Sequence, residues 1–88
     1  MTPRKFDANF AETDVDDETL LIDMDGGLLF SLTGTGQAVW KAIDGTADRD
    51  ALVRLMMQRY RGEAAAIGAD VDRLLHDFAA ARLITLGP

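Results

Sequence analysis

The single histidine of the chain, His76, is the first side chain to consider as a general base or a metal ligand. No second histidine and no cysteine occur in the sequence to complete a metal or nucleophile site. His76 also falls opposite the apolar stripe of a predicted helix, where a side chain meets solvent. We therefore interpret it as a surface residue without a catalytic role.

Two glycine-containing turns resemble ligand-binding loops, but both lack essential groups. The segment Asp23-Met24-Asp25-Gly26 begins like a calcium loop, yet Gly34 stands where the closing glutamate belongs. Gly34-Thr35-Gly36 could hold a phosphate through backbone N–H groups, but the lysine of a P-loop and the glycine pattern of a dinucleotide site are missing. The sequence therefore predicts no catalytic residue, no metal site, no cofactor and no enzymatic activity.

Length and net charge limit the classes of protein and of partner that fit the sequence. The 88 residues suffice for one small domain with a modest core, and the formal net charge is −6. An acidic domain repels phosphate backbones, so nucleic acid is a poor candidate partner. No stretch approaches the roughly 18 apolar residues of a membrane span, and the amino terminus lacks the apolar run of a signal peptide. We expect a cytoplasmic protein without a membrane partner.

A β-hairpin is predicted in the N-terminal half of the chain. Its strands, Leu20–Asp23 and Leu28–Leu32, flank Asp25-Gly26-Gly27, and glycines supply the positive φ angles that tight turns need. Residues 10–15 alternate weakly between apolar and polar, which suits an edge strand. Residues 1–9 show no apolar period, so we expect a flexible N-terminal arm there and a folded domain over residues 10–88.

Three helices are predicted after the hairpin, over residues 33–44, over residues 49–61, and from a start between 64 and 69 to residue 82. The side-chain oxygens of Thr33 and Asp48 are expected to cap the first two helices. Trp40 falls at core spacing, and Leu83, Ile84 and Leu86 form an apolar tail. The predicted fold is α+β, a small winged-helix-like domain whose three-stranded antiparallel sheet precedes three helices.

The hairpin has more apolar surface than a small sheet needs. Leu21 and Leu29 lie on opposite faces of it, although an antiparallel sheet with one solvated face needs only one apolar side. The strand Leu28–Leu32 also has few charges to protect an edge, so it could accept an extended peptide as an added strand. The same pattern fits equally well a strand that is paired on both sides within the sheet.

These elements resemble the PqqD-like family of peptide-recognition domains, also called RiPP recognition elements, which serve PQQ and lasso-peptide biosynthesis. The similarity runs in register from Glu18 to Ile84 and includes LLID, the glycine turn, LLFSL with Thr33, Gly36 and Trp40, LVRLMMQRY, and ADVDRLLHDF. The family usually has Asn at the position of Thr33 and Gly at that of Arg82. Both Asn and Thr cap helices, whereas the arginine changes the expected end of the third helix.

The resemblance implies a peptide chaperone without catalytic activity. It binds the leader segment of a ribosomally made precursor beside the strand at 28–32 and presents the precursor to a tailoring enzyme, such as a radical-SAM enzyme or a leader peptidase. The residues that it implies for the edge and floor of the peptide site are Leu28, Leu29, Phe30 and Ser31. Those that it implies for the opposing wall are Val71, Leu74, Leu75 and Phe78.

Two other functions fit the predicted topology. A winged-helix protein that binds DNA would carry several basic residues on its third helix, but Arg73 and Arg82 stand there beside acidic neighbours. A small structural subunit would use the exposed strand edge for self-association alone. Binding of a leader peptide distinguishes the peptide-chaperone function from both of these alternatives.

Overall fold

The structure is a computed structural model that describes residues 2–87 of the chain. It contains five strands and three α-helices, with a short 3-10 turn at Asp7–Asn9 between the first two strands. The strands are β1 (Thr2–Lys5), β2 (Phe10–Val15), β3 (Glu18–Asp23), β4 (Leu29–Leu32) and β5 (Ile84–Gly87). The helices are α1 (Gly34–Ala42), α2 (Arg49–Arg59) and α3 (Ala64–Ala80). Strands β2, β3 and β4 form an antiparallel sheet in that order, so the predicted α+β class with three helices after the sheet is confirmed.

The expected N-terminal arm forms a strand in the structure. Strand β1 pairs antiparallel with β5, from Thr2 opposite Gly87 to Lys5 opposite Ile84. Pro3 is fully buried, and the Phe6 N–H donates to the Leu83 carbonyl at 2.9 Å. A four-residue strand with a single buried residue shows no apolar alternation, so the sequence gives no strand signal over residues 2–5. Met1, also part of the predicted arm, and Pro88, in the predicted domain, lie outside the described residues.

The helix ends agree with the sequence only in part. Asp48 caps α2 as predicted, because its Oδ1 accepts the Ala51 N–H at 2.8 Å. The predicted hydroxyl cap at Thr33 is wrong: Thr33 occupies the cap position with extended backbone, but its side chain makes no capping hydrogen bond. Helix α3 ends two residues earlier than predicted, at Ala80.

The C-terminal end of α3 is closed by a left-handed residue. The Arg82 N–H donates to Ala79 and the Leu83 N–H to Phe78, both at 3.0 Å, which is the hydrogen-bond pattern of a Schellman motif. Arg82 stands in this motif at φ +61°, a conformation that favours glycine. This geometry gives a physical reason for the glycine that the resemblance noted in the sequence leads us to expect at this position.

The core lies between the sheet and the helices, with Trp40 at its centre. Trp40 is fully buried, as predicted, and its ring meets those of Phe10 and Phe78 edge-on, with ring centroids 5.2 and 5.3 Å apart. Leu83 and Ile84 of the predicted tail are also buried. Every helix in the described part of the chain is too short or too polar to cross a bilayer.

Candidate functional site

Strand β4 is an open edge of the three-stranded sheet. Within residues 2–87 it pairs with β3 alone, placing Ile22 opposite Leu29 and Leu20 opposite Ser31. The Asp23 N–H donates to the Leu28 carbonyl at 2.9 Å, and hydrogen-bonded pairs alternate along an antiparallel ladder. The N–H and C=O groups of Leu29 and Ser31 therefore point away from β3, toward the open side. The edge presents backbone donors and acceptors at both residues.

The side chains of this edge alternate between two surroundings. Phe30 packs against the core on the helix side, and Leu32 does the same two residues further on. Leu29 and Ser31 point to the other face, where Leu29 is 63% exposed and the Ser31 hydroxyl donates to the Glu18 carboxylate. Leu28, just before the strand, is 61% exposed. The five residues thus form a neutral edge, and the side chains of Leu28 and Leu29 are accessible to solvent.

A cleft of about 350 Å³ opens beside this edge, between the β3–β4 turn and the end of α3. On the sheet side it is lined by Leu28 and Phe30 together with three residues near the turn, Asp23, Asp25 and Gly26. On the helix side it is lined by Ala80, Ala81 and Arg82. The two alanines take up little space because their side chains end at Cβ. The cleft also carries charged groups of opposite sign, carboxylates near the turn and a guanidinium at the helix end.

The predicted residues of α3 occupy a different position from this lining. Val71, Leu75 and Phe78 are 0%, 1% and 4% exposed, with their side chains in the core cluster. Leu74 is the one predicted wall residue that is only partly buried. A Cβ added at Gly36 would lie 3.6 Å from Leu74, so this part of α3 sits close to the start of α1. The structure thus brings Leu28 and Phe30 together with the end of α3, whereas the three core residues support that helix from inside.

Sequence reasoning missed the cleft residues Asp23, Asp25, Ala80, Ala81 and Arg82. Alanines carry little apolar signal, and the segment that holds the two aspartates matches a calcium loop only at its start. A usable signal was present in the helical repeat, because Ala81 follows Leu74 by seven residues and so lies on the same side of the helix.

Charge is concentrated at the opposite edge of the sheet, on β2. The Lys41 Nζ lies 3.0 Å from Glu12 Oε2 and 2.8 Å from Asp14 Oδ2, while the Trp40 indole donates to Glu12 Oε1 at 3.0 Å. Burial alone would raise the pKa of the Glu12 carboxyl, but the hydrogen bonds from Lys41 and Trp40 outweigh it and the pKa is lowered. Hydrogen bonds from Lys41 and Thr19 lower the pKa of Asp14. The two carboxylates are therefore held ionised.

Comparisons with known proteins agree with this architecture. Two solved structures share the fold with TM-scores of 0.85: one described as TbiB1 in complex with the TbiA(beta) leader peptide, 19% identical, and one described as lasso peptide synthetase B1 complexed with the leader peptide, 13% identical. The first alignment covers 97% of this chain and 98% of the other, and the second covers 98% and 100%. No curated protein matches the sequence.

The family model described as coenzyme PQQ synthesis protein D (PqqD) matches residues 18–84, from the first residue of β3 to the first residue of β5. This range holds both the open edge and the helix that faces it, and it confirms the resemblance seen in the sequence. The chain belongs to the PqqD family.

Proposed function

We propose that this domain binds the leader segment of a ribosomally made precursor peptide and presents the attached segment to a tailoring enzyme. The observation that carries the proposal is the neutral, open edge of β4 with a cleft beside it that is partly lined by apolar side chains. The two solved structures of the same fold hold leader peptides according to their descriptions, which supports the same class of ligand for this chain.

Strand addition accounts for affinity in this proposal. An extended peptide beside β4 pairs its backbone with the outward N–H and C=O groups of Leu29 and Ser31. These bonds do not depend on the peptide sequence, so they position the leader without selecting it. Every second side chain of the added strand then points toward the helices.

Selectivity comes from the cleft. A leader side chain that points toward the helices enters the space between Phe30 and Ala81, which suits an apolar group. Leu28, Leu29, Phe30 and Ser31 form the edge and floor in this arrangement. Of the predicted wall residues, Leu74 is partly buried and lies outside the cleft lining, while Val71, Leu75 and Phe78 act from the core by fixing the position of α3.

Presentation needs no catalytic group in this domain. A leader held on a domain that also contacts a tailoring enzyme raises the local concentration of the substrate segment, so the second encounter becomes effectively intramolecular. A radical-SAM enzyme or a leader peptidase fits this role. The domain then acts as a non-enzymatic chaperone in the cytoplasm, where precursor peptides are synthesised.

An amide NMR titration tests the proposal directly. Isotope-labelled protein is mixed with leader peptides from candidate precursors, and separately with duplex DNA. We expect one leader to shift the signals of Leu28–Leu32 and of the end of α3, with no response to DNA. Silence with every leader, or a response to DNA on α3, contradicts the proposal.

Two variants of α3 locate the docking site. Ala80→Phe fills the cleft, whereas Ala65→Phe places the same ring on an exposed position at the other end of the helix. We expect leader affinity to fall about tenfold or more in the first variant and to stay unchanged in the second. Equal affinities in the two variants would show that the leader does not use the cleft.

A further inference from the structure

The three-stranded sheet has an apolar face that no element of the described chain covers. Register places Leu20 and Ile22 of β3 on the side away from the helices, because Thr19 and Leu21 between them are buried. Leu29 pairs with Ile22 and therefore points to the same side. Val15 pairs with Glu18, which also points there because it lies two residues before Leu20. Val15, Ile22 and Leu29 are 47%, 45% and 63% exposed. We call these four residues the outer face; such a surface usually marks an interaction site.

The charges around the outer face have one sign. Between Phe6 and Trp40 the sequence contains eight acidic residues and no lysine, arginine or histidine. Glu12 and Asp14 point to the helix side and pair with Lys41. Asp16 and Asp17 lie at the β2–β3 turn and Asp25 at the β3–β4 turn, which are opposite ends of the sheet. None of these three forms an ion pair within residues 2–87, so both ends of the outer face are acidic and open.

This charge pattern selects among possible occupants. Two copies of the chain stacked through their outer faces would bring acidic turns together, and like charges disfavour that contact. A partner with basic groups at both ends of an apolar strip gains complementary pairs instead. The six residues of β3 span about 20 Å, a length that about 13 residues of α-helix match. Three strands at about 4.8 Å spacing also give a width close to the diameter of one helix.

We propose that the outer face docks an amphipathic helix of a partner protein, with an apolar stripe over Val15, Leu20, Ile22 and Leu29 and Lys or Arg side chains at both ends. The stripe removes the four apolar side chains from water, and the basic ends meet Asp16, Asp17 and Asp25. This contact uses side chains of the sheet surface, whereas strand addition uses the backbone of β4. The proposal therefore does not rest on leader binding.

A pair of synthetic peptides provides the probe. One is a helix of about 14 residues with an all-leucine stripe and lysines elsewhere, and its counterpart has glutamate at every lysine position. Each is titrated into the labelled full chain and followed by amide NMR. We expect the lysine peptide alone to shift the signals of Val15, Leu20, Ile22 and Leu29, with affinity that falls as salt is added.

Matched variants separate apolar docking from general attraction to an acidic protein. Ile22→Ser and Val15→Ser each remove apolar area from the outer face, while Leu55→Ser removes a comparable side chain, 40% exposed, from α2. We expect about a fivefold to tenfold loss of affinity in the first two and no change in the third. Unaltered thermal unfolding in the first two variants shows that the loss is local.

Three results would overturn the proposal. The first is equal binding of the lysine and glutamate peptides, and the second is a set of shifted signals centred on α2 or on the cleft. The third is a concentration-dependent shift of the outer-face signals in the protein alone with a doubled mass, which would assign the face to a second copy of this chain.

Discussion

The two edge strands of the same sheet, β2 and β4, are protected in different ways. Strand β2 carries Glu12 and Asp14, and Lys41 of α1 holds both carboxylates within 3.0 Å. Strand β4 carries no charged residue between Leu29 and Leu32, and a cleft lies beside it. Charges on an edge discourage the addition of a further strand. One edge thus carries paired charges, and the other is neutral and open within residues 2–87.

The difference shows how the two edges of one three-stranded sheet can differ in whether a further strand could be added. The charged edge is fastened to the helix layer through Trp40, Lys41 and the hydroxyl of Thr19, which donates to Asp14 at 2.7 Å and accepts from Gln37 at 2.9 Å. Within residues 2–87, no strand pairs with the outward backbone groups of the neutral edge.

Removing Trp40 has the largest expected effect, because the charged edge depends on it. Trp40→Ala deletes a fully buried ring and the donor that holds Glu12, so the free energy of unfolding should fall by about 3–5 kcal/mol. Chemical denaturation followed by circular dichroism measures the loss. Trp40→Phe, which keeps a buried ring, is the control and should lose much less. Full stability of the alanine variant would refute the central role of this side chain in the core.

Closing the neutral edge should abolish most peptide binding without unfolding the protein. Ser31→Pro removes an N–H that points away from β3, so the ladder to β3 survives while one donor for the added strand is lost. We expect leader affinity to fall about tenfold or more, as measured by calorimetry. Ser31→Ala keeps the N–H and is the control. Normal binding by a folded proline variant would show that the leader docks elsewhere.

Aspartate in the floor of the same site gives an independent test of the neutral edge. Phe30→Asp places a charge beside the cleft and should reduce leader affinity about tenfold or more, because an unpaired carboxylate there loses water when the peptide binds. Phe30→Leu, which stays apolar, is the control. A folded aspartate variant with unchanged affinity in calorimetry would exclude Phe30 from the site.

Glycine at each of the two residues with positive φ should raise the free energy of unfolding, by a different amount at each. Arg82, beside the neutral edge, and Asp16, at the turn after β2, have φ of +61° and +56°. Arg82→Gly should raise the free energy of unfolding by about 0.5–1 kcal/mol, since glycine adopts this region without a Cβ clash. Asp16→Gly should gain less, because aspartate tolerates the conformation better. A larger gain at Asp16, seen in denaturant midpoints, would reverse this interpretation.

Acid should loosen the charged edge and leave the neutral edge unaffected. The pKa values of Glu12 and Asp14 are lowered in the folded protein, so their contribution to stability is present above the ordinary values of 4.5 and 3.8 and is lost as pH falls below them. Hydrogen exchange should therefore accelerate in β2 before β4 on acidification. Lys41→Met should weaken the pH dependence and, through Glu12, cost at most about 1 kcal/mol. Simultaneous loosening of both strands in acid would contradict the contrast.

Helices and strands could be predicted from the sequence where apolar side chains recur at regular spacing within one segment. The hairpin, α2 and most of α3 follow from local periodicity and turn residues. Strand β1 did not, because its pairing joins Thr2 to Gly87 across nearly the whole chain and buries only Pro3 among its four residues. The burial of Val71, Leu75 and Phe78 could not be predicted from the sequence either, since an apolar stripe is equally typical of a groove and of a core.

The sequence by itself determined the class of domain, the absence of a recognisable catalytic motif, the acidic N-terminal half and the family, because composition, periodicity and motif spacing are local properties of the chain. Only the tertiary structure decided which edge of the sheet is open, that Val71, Leu75 and Phe78 face inward, and that Ala80, Ala81 and Arg82 line the cleft. These features depend on which surfaces meet when the sheet packs on the helices. This packing depends on contacts between residues that are far apart in sequence, and no single segment of the chain encodes those contacts.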